Sequence, residues 1–355
     1  MYADIPVWAA AAFIVSGLAL LAWSSDRFVA GSAALAKNLG VSPFVIGMVV
    51  IGFGTSAPEL LVSAFSGASG HSSLSLGNAY GSCFFNIAGI LGVAALVKPI
   101  AVKKSIPRFG VPVLLAITAA SYFLICDGGL SRIDAAILLI LFAITMPLYC
   151  FFDRKGGDAS SQSGEDIKEM SFAASIAWSL AGLVLMIGAS HLLVWGSVDL
   201  ARALGVSELM IGLTVVAIGT SLPELASALA ASRRGESELV LGNIIGSNIF
   251  NMLAVVGIAG AIAPIERFST CVLERDLPAL AAATLSLGIF GLSFRPSKPA
   301  GSIGRVKGAF WVLFFVAYMA LVIAGELFQP APKSTRCRGA VDGTDNTGGI
   351  GECRG

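Results

Sequence analysis

Two strings of residues hold the chemistry of this sequence: GFGTSAPELL at 52–61 and AIGTSLPELA at 217–226. Each sets a glutamate, Glu59 or Glu224, in the middle of an apolar run. An ionisable group at that depth costs at least about 2.5–3.5 kcal/mol by insertion scales, so function is its default reading. Thr55 and Thr220 stand one helical turn before the glutamates and share their face, with Ser56 and Ser221 beside them. Pro58 and Pro223 directly precede the glutamates. A proline donates no N–H and clashes with the carbonyl four residues back, here Gly54 or Gly219. Each helix is expected to break there and turn backbone carbonyls inward, which is tolerated only against protein or a wet cavity.

A second pair of strings follows, GNAYGSCFFN at 77–86 and GNIIGSNIFN at 242–251. Ser82 and Asn86 are four residues apart, as are Ser247 and Asn251, so each pair shares one helical face. Gly77, Gly81, Gly242 and Gly246 are expected to let helices approach closely. Asn78 and Asn243 read as loop or helix-start residues. The donors are carboxylate, hydroxyl, amide and carbonyl oxygens. No histidine is near, and Cys83 is matched by Asn248. Such a set suits hard cations: Ca²⁺, which takes about six to eight oxygens, or Na⁺. The two carboxylates would balance one Ca²⁺ or two Na⁺, and protons are natural competitors. No nucleophile–base pair or metal triad is present, and the GTS strings lack the G-x-S-x-G of a nucleophile elbow, so an enzyme is not expected.

These strings must be carried by membrane spans. The chain has 355 residues, 56% of them hydrophobic and only 13% charged, with a mean hydropathy of +0.84. Globular domains carry about 25% charged residues. A balance of 23 basic and 22 acidic residues excludes a strongly cationic nucleic-acid binder. Six scattered cysteines without a CxxC provide no zinc or disulfide framework and read as packing residues. His71 reads as a loop residue, and His191 with Asp199 as a helix end or packing group. Apolar stretches run at about 7–24, 43–65, 74–97, 109–126 and 130–152, then at 171–194, 208–231, 239–263, 276–294 and 308–328. The opening stretch lacks a basic start and a cleavage site, so it reads as a span and not a signal peptide.

Shifting the chain by 165 residues aligns the two halves without a gap, with about four positions in ten identical from Gly17 to Gly92. An odd number of spans per copy forces the second copy into the membrane upside down, the plan of secondary transporters with a site at the repeat interface. The expected fold is therefore an all-α polytopic membrane protein, ten transmembrane helices as two inverted five-helix repeats. The first repeat covers 1–152, a polar Gly/Ser-rich linker 153–170, the second repeat 171–329, and a disordered tail 330–355. Leaving aside Arg27 and the tail, one set of alternate loops holds fourteen Lys and Arg and the other holds four. The positive-inside rule then places the linker in the cytoplasm and both termini outside.

The paired strings GTSAPE with GNAYGSCFFN and GTSLPE with GNIIGSNIFN resemble the two α-repeats of the cation/Ca²⁺ exchanger superfamily, nearest its prokaryotic sodium/calcium exchanger branch. The resemblance spans nearly the whole chain to about residue 328 and is most specific at 41–92 and 206–257. It implies a secondary antiporter in a prokaryotic inner membrane that takes Na⁺ and Ca²⁺ as substrates, with the lipid bilayer as its surroundings and no cofactor or obligatory protein partner. Transferred by motif position, the ion ligands are Glu59, Thr55, Ser56 and the Gly52 carbonyl, with Ser82 and Asn86. From the second repeat come Glu224, Thr220, Ser221 and the Ala217 carbonyl, with Ser247 and Asn251. Potassium-dependent relatives carry aspartate at the position of Asn251, so asparagine here argues against K⁺ co-transport. The linker of 18 residues leaves no room for the regulatory cytoplasmic loop of animal exchangers. Ca²⁺/H⁺ exchange stays open as the alternative, because two glutamates carry protons as readily as Na⁺.

Overall fold

The structure, a computed structural model, describes residues 6–68, 72–103, 105–156, 170–205, 217–268, 270–292 and 301–327. Among them, eight helices are long and apolar enough to cross a membrane: Val7–Leu39, Pro43–Phe65, Ser75–Val97, Ile106–Ile125, Arg132–Tyr149, Phe172–Ala201, Ser237–Ile262 and Arg305–Ala324. The other two expected spans are helical too. Ala217–Thr220 and Leu222–Arg234 form one, whose upstream part at 206–216 lies outside the described residues. Val272–Asp276 and Leu277–Gly291 form the other, made less apolar by Glu274, Arg275 and Asp276. Helix Arg132–Gly156 runs past the expected start of the linker. The rest of the linker at 157–169 and the tail at 330–355 fall outside the described residues.

The opening helix of each repeat is longer than its apolar stretch suggested. Val7–Leu39 has 33 residues and Phe172–Ala203 has 32. At about 1.5 Å per residue each is about 50 Å long, well beyond a hydrocarbon core of about 30 Å, so both must tilt or project. Each stops at a matched glycine in the left-handed region, Gly40 (φ 62°) and Gly205 (φ 78°). The two helices lie antiparallel against one another, and glycines in matched positions bring the backbones together. A Cβ on Gly17 would meet the Leu193 N at 2.9 Å, and one on Gly182 the Phe28 N at 2.7 Å. Gly31 against Ser179 and Gly196 against Ala10 repeat the arrangement, each at 2.7 Å. Lipid offers no hydrophobic drive between helices, so close van der Waals contact through small residues must hold them.

Beneath this pair, helix Ser237–Ile249 runs through the centre, buried along nearly its full length. It crosses Pro43–Thr55 through the expected Gly242 and Gly246, joined by Gly47. No described residue comes as close to Gly77 or Gly81, and 206–216, which match 41–51, lie outside the described residues. A Cβ at Gly47 would stand 2.8 Å from the Leu239 carbonyl oxygen, a backbone atom that cannot swing aside. Gly47→Ala should therefore cost about 1–3 kcal/mol, as overpacking of tight interiors does. A lower unfolding midpoint in detergent would confirm it, and an unchanged midpoint would contradict the crossing.

Several features were not legible in the sequence. Strand β1 (Ile100–Val102) pairs antiparallel with β2 (Gly301–Ile303), too short for any period-two pattern to show. This ladder and the Lys103–Glu238 ion pair at 2.7 Å gather loops of the lysine- and arginine-rich set on one face. A bridge between Leu130 and Ile265 joins loops of the other set. Asp26, midway along a long helix, pairs with Arg234 at 2.6 Å. Wide π-turns interrupt the helices at matched places, Phe85–Leu91 with Phe250–Val255 and Ile106–Gly110 with Val272–Asp276. Such turns cluster at functional sites.

Candidate cation-binding site

The glutamate helices do break ahead of the prolines, but on the serines and not at Gly54 and Gly219, which stay helical. Ser56 (φ −82°, ψ 4°) and Ser221 (φ −91°, ψ 10°) leave helical geometry, and new helices start at Ala57 and Leu222. Pro58 and Pro223 thus occupy a first turn, where a missing N–H costs nothing. Glu59 and Glu224 fall in that same turn, where the partial positive charge of a helix start favours a carboxylate. One expectation needs correction. The Gly219 carbonyl freed by Pro223 does not turn inward but accepts from Ser190 Oγ at 2.8 Å, on the long helix Phe172–Ala203. Ser25, the match of Ser190, donates instead to the Ala22 carbonyl at 3.0 Å.

The two halves meet at the glutamates. Ser221 Oγ donates to Glu59 Oε1 at 2.8 Å, and Ser56 Oγ donates to Glu224 Oε1 at 3.1 Å. Each carboxylate is thus held by the serine of the opposite repeat. Ser82 Oγ lies 3.2 Å from Ser221 Oγ. Ser247 Oγ lies 3.3 Å from the Gly52 carbonyl and 3.4 Å from Asn243 Oδ1. Thr55 Oγ1 donates to the Ile51 carbonyl at 2.9 Å and lies 3.3 Å from Asn243 Oδ1. Thr220 closes the helical segment Ala217–Thr220, in the position Thr55 holds in the first repeat. Asn86 and Asn251 each sit second in a π-turn, Phe85–Leu91 or Phe250–Val255.

Thr55, Ser56, Glu59, Asn86, Ser221, Glu224, Ser247 and Asn251 are all sealed from solvent, and Ser82 nearly so. Yet among the described residues Glu59 Oε2, Glu224 Oε2, Asn86 Oδ1 and both polar atoms of Asn251 have no hydrogen-bond partner. Buried polar atoms without partners are rare and costly, and two of these are carboxylate oxygens on glutamates that are each held by the opposite repeat. Oxygens so arranged, two of them on carboxylates, suit a hard cation. The Gly52 carbonyl differs from these. It already faces the Ser56 N–H at 3.2 Å and the Ser247 hydroxyl, so it would join a cation only if that hydroxyl turned away.

Asn78 and Asn243 are not loop residues. Both lie within helices, and each amide buttresses the turn that carries a glutamate. Asn78 Nδ2 donates to the Glu59 carbonyl at 3.2 Å and to Ser63 Oγ at 3.1 Å. Asn243 Nδ2 reaches the Glu224 carbonyl at 3.5 Å and Ser227 Oγ at 3.0 Å. The repeated Gly-Asn pair was the signal that could have revealed them. Asn248, matched by cysteine, had no such signal.

A helical membrane protein built of two inverted repeats whose buried glutamates meet between them has the build of a secondary transporter. The chain belongs to the sodium/calcium exchanger protein family, which it matches over residues 9–150 and 174–324, one stretch in each half. It is 38% identical over 317 residues to the putative antiporter CaxA of Alkalimonas amylolytica, covering 88% of this chain and 98% of that one. To the sodium/calcium exchanger MaX1 of Methanosarcina acetivorans it is 30% identical, covering 87% and 97%. Its fold is similar to the sodium-calcium exchanger NCX_Mj, with a TM-score of 0.75 at 33% identity, covering 89% of this chain and 99% of that one. These relatives are two exchangers and a putative antiporter, not enzymes, and the chain is an integral membrane antiporter.

Proposed function

We propose that the protein exchanges Na⁺ for Ca²⁺ across the membrane by alternating access, moving net charge in each cycle. The observation that carries this reading is the pair of buried carboxylates, each tied by Oε1 to the opposite repeat and presenting an Oε2 without a partner among the described residues. Two negative charges and neutral oxygens around them match a divalent ion of the calcium type. The ligands are Glu59 and Glu224 with Thr55, Thr220, Ser56, Ser221, Ser82, Ser247, Asn86 and Asn251, with the Gly52 and Ala217 carbonyls as further donors. Sodium as counter-ion is supported by relatives that are themselves sodium/calcium exchangers. Uptake of radiolabelled Ca²⁺ into proteoliposomes tests it, with an outward Na⁺ gradient, an outward H⁺ gradient or none. Uptake driven by Na⁺ alone is expected. Uptake driven by H⁺ and indifferent to Na⁺ would replace this reading with Ca²⁺/H⁺ exchange, and uptake without any counter-ion would indicate a channel.

The protein is proposed to lie in a prokaryotic inner membrane with both termini outside and the linker in the cytoplasm. The fourteen-to-four distribution of Lys and Arg among the loops supports that sidedness. A cysteine replacing Ser161 in the linker should react with an impermeant maleimide only when the cytoplasmic side is exposed. Ready labelling in sealed right-side-out membranes would overturn the topology.

A further inference from the structure

The two amides at the centre are pseudo-symmetric in sequence but unequal in the structure. Asn86 Nδ2 donates to Asn248 Oδ1 at 3.0 Å. Asn248 Nδ2 in turn donates to the Cys83 carbonyl at 3.2 Å, one turn earlier on the helix that leads into the π-turn of Asn86. A carbonyl can only accept, so the NH₂ of Asn248 must point at it and its Oδ1 must point at Asn86. That orientation obliges Asn86 to offer its own NH₂ to Asn248 and to turn its Oδ1 the other way. Asn86 Oδ1 is buried and has no partner among the described residues. The direction of both amides therefore follows from one backbone carbonyl.

The 165-residue shift places Cys83 where Asn248 stands, and Cys83 cannot return the favour. Its thiol carries one weak donor, which faces the Asn248 carbonyl at 3.6 Å. Asn251, the match of Asn86, has neither polar atom engaged by a described residue, although it is fully buried. One amide is locked with its oxygen presented, and the other can turn either end to the site.

We infer that Asn248 is a positioning residue that presents Asn86 Oδ1 to the transported cation, so that the Asn86 side of the site is preorganised and the Asn251 side adaptable. The inference rests on the cation-exchange reading of the site. Outer partners of cation ligands typically set affinity by about 10–100-fold, because an oxygen already aimed at the ion needs no reorganisation on binding.

Calorimetric titration of the purified protein in detergent with Ca²⁺ and with Na⁺ tests it. Asn248→Cys, which makes the two sides alike, should weaken at least one of the two ions by about tenfold. On an Asn86→Ala background the same change should add nothing further, since Asn248 acts through Asn86. The exchanged pair Asn248→Cys with Cys83→Asn should restore much of the affinity by locking Asn251 instead. Asn248→Ser, too short to span the two atoms, replaces the cysteine variant if that one does not accumulate. A lower unfolding midpoint with both affinities unchanged, or an effect that persists in full without Asn86, would overturn the inference. Absence of Ca²⁺ and Na⁺ binding by the unmodified protein would remove the exchanger reading and the inference together. Binding lost in Glu59→Gln but intact in Asn248→Cys and Asn248→Ser would remove this inference alone.

Discussion

Glu59→Gln and Glu224→Gln should each abolish Ca²⁺ transport while leaving the protein folded and in the membrane. Glutamine keeps the shape of the side chain and a carbonyl oxygen that can accept from Ser221 or Ser56 as Oε1 does. What it loses is the charge, and it places an NH₂ where the unpartnered Oε2 now stands. A unit charge about 4 Å from another contributes about 4 kcal/mol at an effective dielectric near 20, and a divalent ion doubles the interaction. Losing one of two such charges lowers Ca²⁺ affinity by on the order of a thousandfold or more, beyond what an uptake assay detects. The break at Ser56 or Ser221 is made by backbone and proline, not by the carboxylate, so the helix ends should survive. Elution from a sizing column like the unmodified protein, with no Ca²⁺ uptake, is the expected pair of results. Near-normal uptake by either variant would refute the assignment of the site.

The second large effect is on voltage. If three Na⁺ leave for each Ca²⁺ that enters, as the resemblance to sodium/calcium exchangers implies, each cycle moves one net positive charge with the Na⁺. A potential of 100 mV then biases the cycle by about 2.3 kcal/mol, close to a fiftyfold change in the Ca²⁺ gradient that the exchange can sustain. In Na⁺-loaded proteoliposomes net positive charge leaves the lumen during Ca²⁺ uptake. A lumen-positive potential clamped with valinomycin and K⁺ should therefore accelerate uptake, and a lumen-negative one should slow it. Two carboxylates alone would balance only two Na⁺. A third must lean on neutral oxygens such as those of Thr55, Thr220, Ser82 and Ser247. Uptake indifferent to the clamped potential would mean electroneutral exchange and would favour two Na⁺ or two H⁺ per Ca²⁺.

Much of this was open to reading without coordinates, because the bilayer makes the sequence unusually explicit. A carboxylate in an apolar span is costly, so Glu59 and Glu224 announce themselves. A proline removes one N–H wherever it sits, so the helix breaks followed from Pro58 and Pro223. Duplication of the whole pattern at one fixed shift established that the chain has two like halves. These are local facts, decided by residue type and spacing along one helix.

Only the tertiary structure decided which groups meet across the two halves. Spacing along a helix shows which residues share a face, but an inverted partner crosses at an angle and register that spacing does not contain. Hence the exchange of serines between the glutamates, the buttressing by Asn78 and Asn243, and the capture of the Gly219 carbonyl by Ser190 were invisible beforehand. The two long helices overran their apolar stretches, packed along each other through matched glycines and ended at left-handed glycines instead of where hydropathy falls. The inequality of Asn86 and Asn251 has the same cause: the repeats share a plan, but Cys83 and Asn248 differ, and an amide's direction is settled by the neighbour that folding brings to it.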